Sequence, residues 1–360
     1  MKKTILILTV MLVISLILWG GEASYAMVTG PCGGCHTMHN SQNGADLSPN
    51  PYEILLKKNC VGCHSDTNEA LYYYMTDGDS SSLKVPVVYT TGSIPTDTLA
   101  GGNFYWVSQS DSDAKGHNVF GISGEDGVLD ASLGGPGAPG NQYGGDCSTA
   151  GCHGTLAIEN TGCQGCHLNV RHHANDGTGT KYVGDADKGW YRFLSGHQAA
   201  TGCGVKGIED EVWQATTDSH NEYLGVPVDK TGATSLTNYS MTAFCCGCHG
   251  DFHTQNDSDA AWIRHPSDSV IPNSGEYAGI TANGYSVLSP VARPEGFVWT
   301  TGPSDLVAAG TEMVMCLSCH RPHGSPNNDL LRWPYADMIA GGGGAHPNEG
   351  CFYCHVTKDD

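Results

Sequence analysis

Basic residues are scarce in this 360-residue chain. Only 17 Lys and Arg stand against 37 Asp and Glu, which gives a formal net charge of −20. A surface of that sign repels phosphate groups and acidic lipid headgroups. The charge therefore argues against nucleic acid or an acidic lipid surface as a partner and favours cationic partners or metal ions.

Beyond residue 26 the sequence has no apolar run of membrane length. The first residues do contain one apolar stretch, at 5–19, which follows two lysines and precedes the small-x-small sequence Ser24-Tyr25-Ala26. A stretch of about 15 residues falls short of the roughly 20 needed to cross a bilayer. We expect 1–26 to be a cleaved signal peptide and the exported chain, 27–360, to have no integral membrane segment. A retained anchor is the alternative.

Aliphatic side chains are also few. Hydrophobic residues make up 39% of the chain, a figure that includes all 16 cysteines, and 49 residues are glycine. Side-chain burial alone would struggle to offset the entropy lost when such a backbone becomes ordered. We therefore predict mostly coil with short α-helices and few short β-strands, around a core that another apolar group supplies.

Cysteine and histidine, by contrast, are abundant, and Cys-x-x-Cys-His occurs six times. Two cysteines three positions apart lie on one face of a helical turn, where each can form a thioether to a haem vinyl group. The histidine that follows then supplies the proximal iron ligand. Zinc ribbons are the alternative, but they do not require a histidine after every second cysteine.

A seventh site has a stretched spacing, Cys147-Ser-Thr-Ala-Gly-Cys152-His153, for which a short disulfide loop is the alternative. We number the sites 1 to 7 in chain order. The predicted attachment cysteines, two per site, are Cys32, Cys35, Cys60, Cys63, Cys147, Cys152, Cys163, Cys166, Cys245, Cys248, Cys316, Cys319, Cys351 and Cys354. The predicted proximal ligands are His36, His64, His153, His167, His249, His320 and His355. The sequence thus predicts seven haem c groups in a single haem-cored cytochrome c unit over 27–360.

Ten histidines lie outside the motifs, so a second imidazole for every iron is available. The predicted distal ligands are His39, His117, His172, His173, His197, His220, His253, His265 and His323, and the tenth histidine is His346. Methionine is the competing ligand and would raise the reduction potential. His39, His253 and His323 follow a motif so closely that we expect each to reach a neighbouring haem and not its own.

The sequence resembles the extracellular multihaem c-type cytochromes of metal-respiring bacteria, the group that includes nanowire-forming cytochromes. The matching stretches are CHTMHNS at 35–41, GNFYWV at 102–107, KGHNV at 115–119, KGIED at 206–210, HNEYLG at 220–225, FCCGCHGDFH at 244–253, WIRHPSD at 262–268, MCLSCHRPHGSP at 315–326 and GCFYCH at 350–355. The resemblance implies that His117, His253, His265 and His323 are distal ligands. It also implies that His39 ligates a haem of the adjacent subunit, which would make a head-to-tail homopolymer, secreted to the extracellular space or outer surface. The periplasm is the alternative location.

Two cysteines, Cys203 and Cys246, belong to no motif. Spare cysteines outside the cytoplasm tend to pair, which predicts a disulfide between them. Two separate buried thiols are the alternative.

These features favour an electron-transfer protein that is not an enzyme. Its partners would be donor or acceptor cytochromes or extracellular metal oxides. One alternative is a multihaem nitrite- or hydroxylamine-converting oxidoreductase with one open iron position, although the Cys-x-x-Cys-Lys motif often found there is missing. Another is a quinol dehydrogenase held by a retained anchor. Filament and diffusing shuttle remain alternative forms.

Local patterns predict a few elements between the motifs. Residues 51–58, 208–215, 258–265 and 328–340 have helix-like patterns, and 85–89, 104–107, 285–288 and 296–300 resemble short strands.

Overall fold

The computed structural model describes residues 28, 30–42, 44–68, 71–75, 83–124, 156–157, 162–174, 181–196, 204–210, 219–228, 234–235, 237–249, 265–297, 303–342 and 348–358. Several predictions lie wholly or partly outside these residues: the signal peptide, site 3 with Cys147, Cys152 and His153, the distal candidates His197 and His253, His346, Cys203, and the predicted helices at 208–215 and 258–265. The described start of the first of these helices is not helical, because Ile208 lies in a strand.

The helices of the described part are short, and most of them are haem motifs. Their bounds are α1 Cys32–Cys35, α2 Cys60–Cys63, α3 Met241–Cys246, α4 Ile280–Asn283, α5 Cys316–Cys319 and α6 Cys351–Cys354. In α1, α2, α5 and α6 the backbone N–H of the motif histidine donates to the carbonyl of the first cysteine, which closes the single turn. The predicted placement of both cysteines on one helical turn is thus observed at sites 1, 2, 6 and 7.

Polar caps determine where some of these turns begin. The Asn59 side chain accepts a hydrogen bond from the Gly62 N–H at 2.7 Å, and the Ser240 hydroxyl accepts one from the Ala243 N–H at 3.0 Å. Site 5 uses the end of α3, and site 4 lies on a 3₁₀ turn, Gly162–Gly165.

The strands are equally short. They are β1 Ser41–Gln42, β2 Ala45–Asp46, β3 Ser65–Asp66, β4 Tyr72–Met75, β5 Leu83–Pro86, β6 Tyr89–Thr90, β7 Tyr182–Val183, β8 Gly207–Ile208, β9 Glu222–Leu224, β10 Ser269–Val270, β11 Ala292–Arg293 and β12 Met313–Val314. Six of them form one sheet in the order β10-β12-β11-β9-β8-β7, in which β9 and β11 are parallel and the other pairs are antiparallel. Three two-stranded pairs, β1–β2, β3–β6 and β4–β5, lie elsewhere.

Two apolar clusters pack around the six-stranded sheet. The larger one joins side chains from β9, β11 and β12 to Leu317 of α5, and Cys166 and Cys245 pack against it. The second joins Val291 to Ile280 of α4 and Tyr353 of α6. The motif helices of sites 5, 6 and 7 are therefore anchored to one sheet.

The predicted fold class, mostly coil with short helices and few short strands, is confirmed. Some local predictions are wrong. The predicted helix at 51–58 is a tight turn at 53–55. The Lys57 N–H donates to the Cys35 carbonyl and the Leu55 carbonyl accepts from the Thr37 N–H, so these groups are not available for helical hydrogen bonds. Residues 104–107 and 285–288 form turns and bends without a strand, and 328–340 contains two short turns where a helix was predicted.

Within the described ranges, no helix reaches the length and apolar character that crossing a bilayer would need.

Candidate haem-binding sites

The imidazole rings of five motif histidines, those of sites 1, 2, 4, 6 and 7, are held by hydrogen bonds at Nδ1. A backbone carbonyl can only accept, so Nδ1 carries the proton and Nε2 is left to bind metal. The Nδ1 donors and their acceptor carbonyls are His36 to Ile54 at 2.9 Å, His64 to Pro86 at 3.0 Å, His167 to Arg192 at 2.8 Å and His320 to Asp329 at 2.7 Å. At site 7 the acceptor is instead a carboxylate oxygen of Glu276, 2.7 Å from Nδ1 of His355.

Two predicted distal ligands are fixed in the same way. Nδ1 of His117 donates to the Pro322 carbonyl at 2.8 Å, and Nδ1 of His265 donates to the Pro266 carbonyl at 3.0 Å. Their Nε2 atoms are thereby left as the metal-binding atoms, as in the motif histidines.

Five motif histidines each face one predicted distal histidine. The pairs and their centroid distances are His36 with His173 at 6.2 Å, His64 with His172 at 6.2 Å, His249 with His117 at 6.0 Å, His167 with His323 at 6.3 Å, and His355 with His265 at 6.3 Å.

This separation fits a metal between two imidazoles. With about 2.0–2.1 Å from metal to nitrogen and about 1.1 Å from nitrogen to ring centre, centroids on opposite sides of one ion lie about 6.3 Å apart. Rings that merely stack on each other would lie closer, as His220 and Tyr285 do at 3.7 Å. The residues at sites 1, 2, 4, 5 and 7 therefore fit an iron held from both faces.

The planes of the paired rings fall into two groups. The angle is 24° at site 1 and 23° at site 2, whereas it is 57° at site 5, 51° at site 4 and 74° at site 7. Sites 1 and 2 thus have nearly parallel ligand planes, and the other three have strongly crossed ones.

The segment that follows site 4 supplies facing histidines to two other sites. His172 faces His64 of site 2, and its immediate neighbour His173 faces His36 of site 1. One dipeptide therefore spans two sites.

His323 shows the same sharing between sites. It lies three residues after His320 of site 6, yet its ring faces His167 of site 4. Its backbone N–H donates to the Gly101 carbonyl at 2.8 Å, and its ring stacks on Phe104 at 4.7 Å. This placement supports the prediction that a histidine just after a motif serves a neighbouring haem.

Burial keeps several of these rings neutral. Burial, together with smaller effects of nearby histidines, lowers the pKa of His323 to about 3 and that of His249 to about 4. Burial also lowers the pKa of His64, His117 and His167. One backbone hydrogen bond to each ring raises its pKa, but the effect of burial is larger. Neutral imidazole is the form that binds iron, so these rings are ready to ligate at neutral pH.

The cysteine sulfurs show which sites are neighbours. These thiols stand where thioether sulfurs would be after haem attachment. A hydrogen bond with Cys163 of site 4 lowers the pKa of Cys60 of site 2 to about 6, and a hydrogen bond with Cys316 of site 6 raises the pKa of Cys245 of site 5. Sites 2 and 4, and sites 5 and 6, therefore lie with their sulfurs in contact.

Weaker electrostatic interactions connect the remaining neighbours. They link Cys35 to Cys63, Cys166 to Cys245, and Cys319 to Cys351 and Cys354. Together with the hydrogen-bonded pairs, these contacts order the described sites as 1–2–4–5–6–7, which is also their order along the chain.

Three predicted site residues have other surroundings. His39 is exposed in the loop after α1, next to Met38, whose side chain is 82% exposed. His220 is fully buried, with Nε2 3.6 Å from a carboxylate oxygen of Glu222. Cys246 is buried in α3, and because Cys203 lies outside the described residues, the disulfide remains a prediction.

His320 of site 6 is the motif histidine for which no facing imidazole lies in the described part of the chain. Its Nδ1 is tied to Asp329, and the residue is exposed. Site 6 is therefore prepared on one face only by the residues that the structure describes.

Sequence reasoning missed the residues that hold the motif histidines. The carbonyls at Ile54, Arg192 and Asp329 belong to turns in which these residues have φ of 56°, 47° and 57°. The residue types Ile54 and Arg192 do not predict this, because left-handed turns usually contain Gly, Asn or Asp, and of the three residues Asp329 alone belongs to that group. Glu276 was also missed, since it lies 79 positions from the histidine that it contacts.

Comparison with known proteins agrees with these sites. The family model described as the doubled CXXCH motif matches residues 307–360, which contain sites 6 and 7. The C-type cytochrome OmcS of Geobacter sulfurreducens is 26% identical over 386 aligned residues, covering 89% of this chain and 83% of the relative.

Two solved structures are also similar. The outer membrane cytochrome S filament of Geobacter sulfurreducens matches with a TM-score of 0.47 and 18% identity, covering 88% of this chain and 86% of the other. The OmcS nanowires of the same organism match with a TM-score of 0.46 and 19% identity over the same shares.

The predicted resemblance is therefore confirmed by the sequence comparisons: the chain is similar over most of its length to a C-type cytochrome, binds haem c through Cys-x-x-Cys-His motifs, and carries the doubled CXXCH motif at 307–360.

Proposed function

We propose that residues 27–360 form one heptahaem c-type cytochrome that carries electrons over long distances outside the cell as part of a homopolymer. The observation that carries this proposal is the continuous order of neighbouring sites, 1–2–4–5–6–7, in which five sites offer facing histidines. Haem supplies the one-electron chemistry, and the chain's residues hold the groups close together and exclude other ligands.

The histidines have two roles in this proposal. The motif histidines would hold the irons from one face, and His173, His172, His323, His117 and His265 would hold those of sites 1, 2, 4, 5 and 7 from the other. Two strong-field imidazoles leave no coordination position for a substrate. The similarity to a cytochrome whose solved structures are called a filament and nanowires supports the same use here.

Site 3 completes the count of seven in this proposal. Cys147, Cys152 and His153 would hold its haem, with His197, His220 and His253 as the remaining candidates for its second ligand. The family of relatives supports haem attachment through the other motifs, and the stretched spacing at site 3 is what an intact-mass measurement must test.

Assembly would complete site 6. His39 is exposed at one end of the site order, in the loop that follows site 1, and none of the histidines that the structure describes faces His320 of site 6. We assign His39 to the site 6 iron of an adjacent copy, which makes each contact head-to-tail and generates an open chain of subunits.

The acidic surface fits the proposed location and partners. A net charge of −20 favours cationic donor or acceptor cytochromes and metal oxides with their positive surface ions. The preceding signal peptide would export the chain to the extracellular space or outer surface.

Replacing His39 tests the assembly and the haem count together. The purified wild-type protein should have a mass that includes seven haem groups, form filaments by electron microscopy, and bind no carbon monoxide. In His39→Ala the filaments should be lost, and one haem per chain should become high-spin and bind carbon monoxide. Met38→Ala, which removes the neighbouring exposed side chain and keeps the ligand, should still polymerise.

Two outcomes would contradict the proposal. Carbon monoxide binding by the wild-type filament at one haem would favour the oxidoreductase alternative with an open iron. A mass with fewer than seven haems would remove site 3 from the assignment.

A further inference from the structure

Site 7 differs from sites 1, 2, 4 and 6 in what holds its motif histidine. At sites 1, 2, 4 and 6 the Nδ1 proton is donated to a neutral backbone carbonyl. At site 7 Nδ1 of His355 donates to Oε1 of Glu276 at 2.7 Å. The charge of the acceptor therefore separates site 7 from these four sites.

Local structure fixes this carboxylate. Glu276 lies in the 3₁₀ turn Gly275–Tyr277, which packs against the last turn of the described chain, Val356–Lys358. Its second oxygen, Oε2, lies 3.1 Å from Nζ of Lys358. The two oxygens thus bind one imidazole and one ammonium group.

Both carboxylate oxygens of Glu276 face nitrogen donors, Nδ1 of His355 at 2.7 Å and Nζ of Lys358 at 3.1 Å. A glutamate side chain is ordinarily ionised at neutral pH. An ionised carboxylate only accepts hydrogen bonds, so the proton stays on Nδ1. A carboxylate in this position draws that proton towards itself and makes the opposite nitrogen a stronger electron donor to a bound metal.

A stronger donor stabilises the oxidised state of the iron more than the reduced state. Second-shell hydrogen bonding is one of the levers by which a protein sets a haem potential. Lys358 opposes the effect, because its positive charge withdraws electron density from the same carboxylate. Its side chain is 55% exposed, so solvent weakens this opposition.

Given the proposed function, we propose that Glu276 is a tuning residue that lowers the reduction potential of the site 7 haem, and that Lys358 moderates it. Site 7 is the last site in the order 1–2–4–5–6–7. An electron that arrives there is therefore favoured to move on, inward to site 6 or outward to a partner.

Two substitutions of opposite sign test this assignment. Glu276→Gln keeps an acceptor oxygen but removes the charge. Lys358→Gln removes the opposing cation and leaves the carboxylate in place. Glu53→Gln is the control, because Glu53 is an exposed acid next to Ile54, whose carbonyl holds His36, and its own side chain contacts no imidazole in the described structure. Each filament is titrated by spectroelectrochemistry after its haem count is checked by intact mass.

We expect one redox component to move upward in Glu276→Gln, by on the order of tenfold in the equilibrium constant for reduction, which for one electron is about 59 mV. The same component should move downward in Lys358→Gln, and Glu53→Gln should match the wild type. Carbon monoxide binding should stay absent in all three variants, so the shift reports a changed donor and not a lost ligand.

Unchanged potentials in Glu276→Gln, or shifts of the same sign in both variants, would overturn the assignment while leaving the proposed function intact. If Glu276→Gln does not attach its full set of haems, Lys358→Gln decides the matter, because that exposed side chain is not needed for folding. Failure of the proposed function would appear separately, as missing haems or carbon monoxide binding in the wild type.

Discussion

At the scale of single residues, the histidines divide into those that sequence can assign and those that it cannot. The motif histidines are assigned by covalent geometry, since the cysteines on the same turn fix where the imidazole lies. The facing histidines come from distant segments, so their pairing depends on the fold. The sequence predicted His172 and His173 as ligands but could not tell that these neighbours face two different sites.

Replacing His323 tests the sharing of one segment between two sites. His323→Ala should produce one high-spin haem, because its ring is the one that faces His167 of site 4. The measurement is the electronic spectrum, with carbon monoxide binding as the second readout.

A second variant identifies which haem has changed. When Cys163 and Cys166 are also replaced by Ala, site 4 loses its haem, and the high-spin signal of His323→Ala should disappear with it. A high-spin signal that persists in this background would place His323 on another iron. Replacing Pro322 by Ala provides the control, since the Pro322 carbonyl that holds His117 is retained.

At the scale of elements, the recurring unit is a motif helix held by a left-handed turn. At site 1 the N–H of Lys57 donates to the Cys35 carbonyl and the N–H of Thr37 donates to the Leu55 carbonyl. At site 6 the N–H of Arg332 donates to Cys319 and the N–H of Arg321 donates to Leu330. Both turns then present a carbonyl to the motif histidine, Ile54 at site 1 and Asp329 at site 6.

This unit explains the wrong prediction at 51–58. The pattern of apolar residues there is typical of a helix, and Pro51 is suited to a helix start. The backbone groups of Leu55, Leu56 and Lys57 are instead paired with 35–37. Long-range backbone pairing of this kind leaves no periodic signal in the sequence, so local pattern reasoning could not detect it.

Two substitutions at Ile54 test the left-handed turn. The side chain is 81% exposed, so neither removes buried contacts. Proline is locked near φ −65° and cannot adopt the observed φ of 56°, whereas glycine adopts it without cost. Ile54→Pro should lower the free energy of unfolding by about 1–3 kcal/mol through the lost histidine contact.

Ile54→Gly should leave that free energy unchanged or raise it by up to about 1 kcal/mol, because it relieves the left-handed strain. Denaturant unfolding measures both values, and the paramagnetic resonance spectrum of the site 1 haem should change only in the proline variant. Equal effects of the two substitutions would show that the turn does not position His36.

At the scale of the whole molecule, the fold class was predictable from composition, because a glycine-rich chain with few aliphatic residues builds little regular structure. The described sites follow the order of their motifs along the chain. The six-stranded sheet was not foreseen. Its strands are two or three residues long, too short for an alternating pattern, and β9 and β11 are 70 positions apart.

The buried histidines make stability depend on pH. In the folded protein the pKa of His323 is about 3 and that of His249 is about 4, both below the ordinary value of 6.5. At pH values between the folded and the unfolded pKa, the unfolded chain therefore binds more protons than the folded one. The stabilisation is fully present above about pH 6.5 and is lost as the pH falls through that window. Chemical unfolding of the holoprotein at pH 7.5, 6.5, 5.5 and 5.0 measures it.

The expected result is constant stability from pH 7.5 to 6.5 and a progressive decline below. The carboxylates titrate near pH 4, so the interval from 6.5 to 5.0 isolates the histidines. Stability that rises as the pH falls across that interval would mean that weaker repulsion among the negative charges outweighs the cost of protonating the buried rings.

The adjacent histidines 172 and 173 have a mechanical consequence. Neighbouring Cα atoms across a trans peptide stay about 3.8 Å apart under any tension that leaves the chain intact. In the proposed homopolymer, with His172 and His173 bound to iron, sites 1 and 2 would resist being drawn apart by a pull along the fibre unless an imidazole first detached. Stretching or thermal expansion would be taken up elsewhere, where longer and softer segments join the sites, and conductance would be most sensitive to strain at those junctions.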